Sequence, residues 1–227
     1  MQTPKPVLLD LFCGAGGVAK GFQNAGFYVI GVDLFDQPDY CGDEFHRGDA
    51  LALGADLIHR ADAVTASPPC PGEGTLSLGT DKSLAAKHPR LIRPTRALLQ
   101  ESGLPYVIEN VTGSDVRADV VLCGEMFGLG VIMHRKFELG GWSAPQPGHI
   151  KHRGYVRGWR HGVYRDGPYV AAYGNGGGKA TVAEMRTAKG INWTTNHLSL
   201  RDAIPPAYTE YLGKFLMEEV TLRGRRT

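Results

Sequence analysis

The sequence lacks several features that would each have indicated a particular class of protein. Within its 227 residues no apolar run approaches the ~20 residues that a membrane-spanning helix needs, and no basic, apolar leader resembles a signal peptide. The 4 cysteines lie far apart and form no Cys-x-x-Cys pair. These absences argue against a membrane span and a disulfide scaffold, and they predict a cytoplasmic protein with reduced thiols.

The sequence also has little excess of positive over negative charge. Lys and Arg together number 25 and Asp and Glu 23, so the formal net charge is only +2. That balance by itself indicates no polyanionic partner, and the distribution of the charges has to be considered instead. The length suits one globular domain, and the sequence contains no internal repeat.

Short β-rich runs alternate with helical patterns up to about residue 127. They predict strands at residues 7–12, 28–33, 62–67, 106–111 and 120–127, and helices at 18–26, 52–60, 93–103 and after Pro206. This alternation indicates an α/β fold with a mostly parallel sheet and helices on both faces. From about residue 140 to 190, glycine, proline, arginine and aromatic residues replace it.

Glycines cluster directly after the first predicted strand, in "DLFCGAGGVAKG" (10–21). Gly14, Gly16 and Gly17 allow a tight turn and the close approach of a ligand to the next helix N-terminus. A turn that binds nothing is the alternative explanation. Asp33, at the end of the second strand, suits the hydroxyls of a ribose, and Asp49 suits an adenine amino group. Together these residues predict a cofactor that contains adenosine.

A cysteine stands between prolines at the end of the third predicted strand, in "ASPPCPGEGT" (66–75). The prolines restrict the backbone and hold Cys70 at the carboxyl edge of the sheet, where ligands of such folds bind. Gly72 and Gly74 predict a loop that closes over a substrate. Free cysteines are mostly buried and inert, but this position favours a nucleophile.

A carboxyl group ends the next strand, in "IENV" (108–111). The apolar neighbours of Glu109 are expected to raise its pKa, which favours a proton donor. A solvated glutamate at a strand end is the alternative.

Five segments now resemble one family in their order and approximate spacing. "DLFCGAGG", "PPC", "ENV", "HRKFE" (134–138) and "IPPAYTEYLG" (204–213) are similar to motifs of the cytosine-C5 DNA methyltransferases, in their compact phage or bacterial form. The similarity covers residues 7–139 and 198–216. It implies a Rossmann-like sheet, S-adenosylmethionine as the cofactor, and double-stranded DNA with one base flipped out as the partner. We expect a monomer without membrane contact.

The resemblance also implies roles for individual residues. Cys70 would be the nucleophile, Glu109 the acid that binds the base, and Arg135 a clamp on the cytosine carbonyl and the catalytic loop. The positions implied to bind the cofactor are Phe12, Gly14, Gly16, Gly17, Asp33, Leu34, Asp49, Ala50, Pro69 and Lys214.

Three positions depart from the family pattern. Pro71 stands where the family usually has glutamine, and Phe137 where it has a second arginine. Lys214 follows Gly213 where asparagine is usual, so it is either a surface residue or a group that selects a carboxylated cofactor such as carboxy-S-adenosylmethionine. An RNA cytosine methyltransferase and a catalytically silent DNA-binding protein stay open as alternatives.

Between a catalytic region (1–139) and a C-terminal helix region (197–227) we expect a small target-recognition segment, residues 140–196. Its stretch "HIKHRGYVRGWRHGVYRDG" (149–167) interleaves cations with aromatic residues, a composition that suits phosphate contacts and base stacking. A solvated basic loop is the alternative. The residues predicted to bind nucleic acid are Lys151, Arg153, Arg157, Trp159, Arg160 and Arg165.

Two other patterns in this segment predict no site of their own. His149, His152 and His161 suggest a metal, but no cysteine or carboxylate at a suitable spacing completes a ligand set, so we expect none. "GNGGGKA" (174–180) departs from the Walker pattern and predicts a flexible loop near the nucleic acid.

Overall fold

A seven-stranded sheet forms the centre of the protein. The computed structural model describes residues 4–69, 90–172 and 180–225. The strands are β1 (Val7–Leu11), β2 (Tyr28–Asp33), β3 (Glu44–Arg47), β4 (Ala63–Ala66), β5 (Tyr106–Val111), β6 (Val120–Leu122) and β7 (Arg135–Gly140). They lie in the order β3-β2-β1-β4-β5-β7-β6, and β7 runs antiparallel to both of its neighbours. The predicted α/β fold with a mostly parallel sheet is confirmed.

Within the described residues, six helices accompany the sheet. They are α1 (Gly17–Asn24), α2 (Ala50–Leu57), α3 (Ile92–Glu101), α4 (Val182–Lys189), α5 (His197–Asp202) and α6 (Pro206–Gly224). A separate hairpin consists of β8 (Gly158–Arg160) and β9 (Val163–Arg165). Among the helices that the structure describes, none combines the length and the apolar character needed to cross a bilayer.

The strands are apolar on both faces because helices cover both. Successive side chains of a strand point to opposite sides. Leu8 accordingly packs in one core cluster with Phe22 of α1 and Leu212 of α6, whereas Leu9 packs in a second cluster with Ala50 of α2 and Leu99 of α3. Runs such as "VLLDL" therefore lack the alternation of a half-exposed strand.

Helices α1 and α6 approach each other closely. A Cβ atom added at Gly213 would lie 2.6 Å from the Cβ atom of Ala25, so this contact requires glycine. The predicted recognition segment joins the same core, since Ala172, Met185 and Ile191 belong to the cluster that contains Phe22. The division into three domains stays a prediction.

The order of the strands locates the ligand-binding edge. β1 lies between β2 and β4, so the connections from β1 and β4 leave the sheet in opposite directions. A crevice forms at the carboxyl ends of the strands at such a point. The glycine loop follows β1, and the segment that leads to Cys70 follows β4.

Some predicted boundaries were wrong. The strand predicted at 120–127 ends at Leu122 and continues as a 3₁₀ turn (Gly124–Phe127). β3, β7, the hairpin, α4 and α5 were not predicted. In β7 the charged Lys136 and Glu138 hide the pattern of a strand: Glu138 is fully buried, and Arg96 donates two hydrogen bonds of 2.8 Å to its carboxylate.

Candidate active site

A cavity of about 840 Å³ opens at the carboxyl edge of the sheet. Volumes of this order are typical of small-molecule and cofactor sites. Of the residues predicted from the sequence, those that line it are Phe12, Gly14, Gly17, Asp33, Leu34, Asp49, Ala50, Pro69, Glu109 and Arg135. Residues from the ends of β1, β2, β4 and β5 thus meet in one place.

The loop after β1 is strained where it meets the cavity. Phe12 has a φ of 61°, a left-handed conformation that residues other than glycine rarely adopt, and Gly14 follows with a φ of 49°. A Cβ atom at Gly14 would meet nothing within 4 Å, so open space lies beside its backbone. Gly16, which was also predicted to bind the cofactor, is not among the residues that line the cavity; its missing side chain makes room for Cys41 and Tyr40.

Asp33 is anchored but keeps free acceptor capacity. Its Oδ2 accepts a hydrogen bond of 3.0 Å from the backbone N–H of Gly14, and its Oδ1 one of 3.1 Å from that of Phe35. An ionised carboxylate offers about four acceptor sites, so about two remain for the hydroxyls of a ligand. Asp49 uses its Oδ1 to cap α2, where the N–H groups of Leu51 and Ala52 donate to it.

Glu109 and Arg135 form a buried pair at the cavity wall. Arg135 Nε lies 3.1 Å from Glu109 Oε1. The contact does not have the direction of a hydrogen bond, and Oε1 has no hydrogen-bond partner among the described residues. Burial raises the pKa of Glu109, although the nearby Arg135 charge opposes the rise. The pair therefore offers a ligand a buried carboxyl oxygen beside a cation.

The predicted nucleophile is not among the residues that the structure describes. Cys70 lies outside the described residues, as do Pro71 and the glycine loop that follows it. Pro69, directly before Cys70, lines the cavity. The preceding Pro68 is buried and its carbonyl oxygen accepts a hydrogen bond of 2.8 Å from Asn110 Nδ2.

The structure places Lys214, which was predicted to bind the cofactor, away from the cavity. Its side chain is exposed, and it is absent from the cavity wall. The physical reason is the helical repeat: Gly213 faces α1, and the next residue is turned by about 100° around the helix axis, toward solvent.

The relatives found by sequence comparison include two type II methyltransferases. M.AgeI of Thalassovita gelatinovora is 27% identical over an alignment of 206 residues. The match covers 71% of this chain and 47% of that protein. M.AplI of Arthrospira platensis is 35% identical over 75 residues, which cover 28% of this chain and 20% of that protein. The chain is homologous to type II methyltransferases. It spans less than half the length of these relatives, and no family model matches it.

A structure comparison agrees with this relationship. A prophage-encoded E. coli protein, solved as a candidate DNA modification methyltransferase, superposes with a TM-score of 0.61 at 14% identity. The match covers 95% of this chain and 99% of that one. At this level of identity the match shows the fold alone, which is the Rossmann-like methyltransferase fold. The family resemblance inferred from the sequence is confirmed.

Of the side chains predicted to bind nucleic acid, some are paired with carboxylates of the same chain and others are not. Arg153 Nε donates to Glu125 Oε1 over 2.8 Å, and Arg157 is paired with Glu184. These carboxylates come from outside the basic stretch, so two of its arginines are already paired with acidic side chains of the same chain. Lys151 is exposed, and Arg165 lies over the ring of Tyr155, 4.7 Å from its centroid.

The β8–β9 hairpin presents aromatic side chains to solvent. Trp159 is 60% exposed and Tyr164 50% exposed, and their rings lie 5.6 Å apart. His161 and Gly162 form the two-residue turn with φ values of 49° and 78°, the positive pair that a type I′ hairpin turn requires. The side chain of Arg160 and residues 173–179, which include most of "GNGGGKA" (174–180), lie outside the described part of the chain.

Sequence reasoning missed one wall of the cavity. Helix α5 and the residues beside it contribute Asn196, Leu198, Ser199, Arg201 and Asp202 to the lining. Lys189 holds the end of this helix, because its buried Nζ donates to the carbonyl oxygens of Leu200, Arg201 and Ala203 over 2.7, 2.9 and 2.9 Å. The Asn-capped pattern "NHLSLRD" is the signal that would have revealed the helix.

Three of the histidines lie beside a cysteine that no short spacing in the sequence had indicated. A cysteine does approach the histidines: Cys123 Sγ lies 3.5 Å from His152 Nε2. His134 joins them, with its Nε2 3.1 Å from His149 Nε2. His161 lies apart, in the hairpin turn. Cys123 and His134 are too distant in sequence from His149 to form a recognisable short motif.

Proposed function

We propose that this chain is an S-adenosylmethionine-dependent methyltransferase that modifies C5 of cytosine in DNA through a covalent Cys70 adduct. The observation that carries the proposal is the buried Glu109–Arg135 pair in the same cavity as the strained loop after β1. Oε1 of Glu109 accepts no hydrogen bond from a described residue. One end of the cavity suits a nucleoside cofactor and the other a pyrimidine ring. The sequence relationship to type II methyltransferases supports the proposal.

The loop end of the cavity has groups that fit S-adenosylmethionine. Asp33 retains acceptor sites for ribose hydroxyls, and the open space beside Gly14 admits a ligand against the backbone. When bound, this cofactor supplies an electrophilic methyl group. The protein's part is to orient it toward the other end of the cavity and to exclude water.

The opposite end has groups that fit cytosine. A protonated Glu109 can donate its proton to the ring nitrogen N3, and its raised pKa makes that form more accessible than in an exposed glutamate. Arg135, held next to it, can stabilise negative charge on the carbonyl oxygen. Glu109 would therefore neutralise the ring while a nucleophile adds to it.

Cys70 would supply that nucleophile. Its thiolate forms a bond to C6, and the electron pair that is displaced makes C5 nucleophilic. The cofactor, which Asp33 and the loop at Gly14 would hold, would supply the methyl group to C5 and leave as S-adenosylhomocysteine. Loss of the C5 proton to a base would then return the electron pair to the ring and release the Cys70 thiolate. Asn110, by holding Pro68, would fix the chain two residues before the thiol.

DNA would be bound by the predicted recognition segment. Lys151 and Arg165 are exposed cations there that form no salt bridge with a described residue, and the exposed Trp159 and Tyr164 can stack on bases. C6 of cytosine is inaccessible in a stacked duplex, so the target base would have to be flipped into the cavity. The monomeric state stays a prediction.

The test is a transfer assay with labelled S-adenosylmethionine on duplex DNA, single-stranded DNA and tRNA, followed by mass spectrometry of the nucleosides. We expect 5-methylcytosine from DNA with the wild type and with the control Cys41→Ser, and none with Cys70→Ala. DNA that contains 5-fluorocytosine should form a stable covalent adduct that depends on Cys70.

Other products would contradict the proposal. Labelled tRNA alone would support an RNA enzyme, and carboxymethylcytosine would support a carboxylated cofactor. If neither label nor adduct forms while DNA binding is retained, the result would support a silent DNA-binding protein.

A further inference from the structure

Four metal-ligating side chains meet at the free edge of the sheet, outside the cavity. We call Cys123, His134, His149 and His152 the Cys-His cluster. Their ligand atoms all lie within 4.8 Å of one another. Two of the separations are 3.1 Å, between the Nε2 atoms of His134 and His149, and 3.5 Å, between Cys123 Sγ and His152 Nε2.

These separations match a tetrahedral metal site. Zinc binds sulfur at about 2.3 Å and imidazole nitrogen at about 2.0–2.1 Å, which places neighbouring ligand atoms about 3.3–3.6 Å apart. Both separations, 3.1 and 3.5 Å, lie in that range or within a few tenths of an ångström of it. Four ligands of two chemical types converge from three separate parts of the chain, which ordinary packing of polar side chains does not require.

We propose that one Zn²⁺ ion is bound by four side chains of this chain, Cys123, His134, His149 and His152. A thiolate with three imidazoles is a ligand set that suits zinc and is unsuitable for calcium or magnesium, which prefer oxygen. Four protein ligands leave no open position for a water molecule or a substrate. The site is therefore structural and takes no direct part in chemistry.

The cluster joins the edge of the sheet to the stretch that follows β7. Cys123 follows β6 and His134 precedes β7, so both lie at the same end of an antiparallel strand pair. His149 and His152 belong to the irregular stretch after β7. A metal bound here fixes the start of the predicted recognition segment to the edge of the sheet.

Neighbouring contacts strengthen the same junction. Arg153, next to His152, pairs with the buried Glu125, which also accepts a hydrogen bond from Tyr169. On the other side, Arg135 Nη1 donates to the carbonyl oxygen of His134 over 2.9 Å. The proposed ligand His134 is thus adjacent in sequence to Arg135, a member of the Glu109–Arg135 pair. A segment with little regular secondary structure benefits from such a cross-link, as small metal-stabilised domains do.

The first test is the metal content of the full chain. The protein is purified without immobilised-metal chromatography from cells supplied with zinc, dialysed, and analysed by elemental mass spectrometry. We expect about one zinc ion per chain in the wild type and the control His161→Asn, a histidine of the same segment. Cys123→Ser and His149→Ala should lose most of it. A wild type without stoichiometric zinc, or variants that retain it, would overturn the proposal.

Cobalt gives a second readout. Co²⁺ exchanged into the wild type should show the visible bands of a tetrahedral ion and a sulfur-to-cobalt charge-transfer band that is absent in Cys123→Ser. His149 is exposed, so His149→Ala keeps the test valid if a buried variant fails to fold. Spectra of octahedral cobalt in the wild type would contradict the site. Both readouts are independent of methyl transfer, so the zinc site and the proposed function fail separately.

Discussion

Asn110 donates a hydrogen bond from Nδ2 to the carbonyl oxygen of Pro68 over 2.8 Å and so joins the carboxyl ends of β5 and β4. Its Oδ1 accepts a hydrogen bond of 2.9 Å from the N–H of Val111. Because Asn110 and Pro68 are both buried, this bond has no competition from water. The segment that leads to Cys70 is thereby fixed to the strand that carries Glu109.

Asn110→Ala should therefore affect both stability and turnover. The carbonyl oxygen of Pro68 would lose its donor, at a cost of about 1–3 kcal/mol in urea unfolding. We expect methyl transfer to fall about 10- to 100-fold through misplacement of the thiol, with cofactor affinity nearly unchanged. Asn24→Ala, which breaks an exposed bond to Glu210, is the control. Turnover equal to that of the wild type would refute this role.

Asp33 is expected to dominate cofactor affinity. Asp33→Ala removes the acceptors proposed for the ribose and should weaken the binding of S-adenosylhomocysteine about 10- to 150-fold, the equivalent of about 1.5–3 kcal/mol. Lys214→Ala, outside the cavity, should bind it as the wild type does. Isothermal titration calorimetry measures both. A large loss with Lys214→Ala would reinstate a carboxylate-selecting role for that residue.

The pH dependence of turnover should reveal Glu109. Burial raises the pKa of this carboxyl, and the protonated form is the one that donates to N3. The rate should consequently decline as the pH rises through the pKa of Glu109. Glu109→Gln, which cannot transfer a proton, should lower the rate about 100- to 10,000-fold and lose that alkaline decline. A variant profile with the same decline would assign it to another group.

Asp10 should make the fold less stable at higher pH. It is fully buried, and neither carboxylate oxygen has a partner among the described residues. Burial raises its pKa, and the charges of Asp33 and Glu109 raise it further. The folded state therefore holds a proton that the unfolded state releases above about pH 4, so this contribution to stability is lost as the pH rises toward the folded pKa.

Asp10→Asn keeps the shape and removes the titration. Its free energy of unfolding, measured in urea from pH 5 to 8, should decline less with pH than that of the wild type. Asp36→Asn, at an exposed carboxylate paired with Arg47, is the control and should follow the wild type. Parallel curves for Asp10→Asn and the wild type would show that Asp10 is ionised in the folded protein.

The basic residues of the recognition segment should differ in their contribution to DNA binding. Each phosphate contact changes the slope of log K against log salt by about 0.9. Lys151→Ala and Arg165→Ala should each reduce the slope by about that amount. Arg157→Ala should leave it nearly unchanged, because Glu184 already neutralises Arg157. Fluorescence anisotropy across a salt series measures the slopes, and equal effects of all three would refute the distinction.

The sequence by itself determined the parallel part of the sheet and one edge of the site. Continuous apolar runs such as β1 and β5 need a helix on each face, whatever the rest of the chain does. Asp33 and Glu109 end such strands, and parallel strands bring their carboxyl ends to one edge. The local sequence pattern was therefore enough to predict that Asp33 and Glu109 lie at the same edge of the sheet.

Only the tertiary structure decided the remaining features, because each depends on contacts between residues far apart in the chain. β7 is a strand since Arg96 neutralises its buried Glu138, and Lys214 faces solvent since Gly213 packs on α1. Cys123 meets the histidines because β6 and β7 are paired. Periodicity and short motifs describe neighbours in sequence, and they contain no information about these long-range pairings.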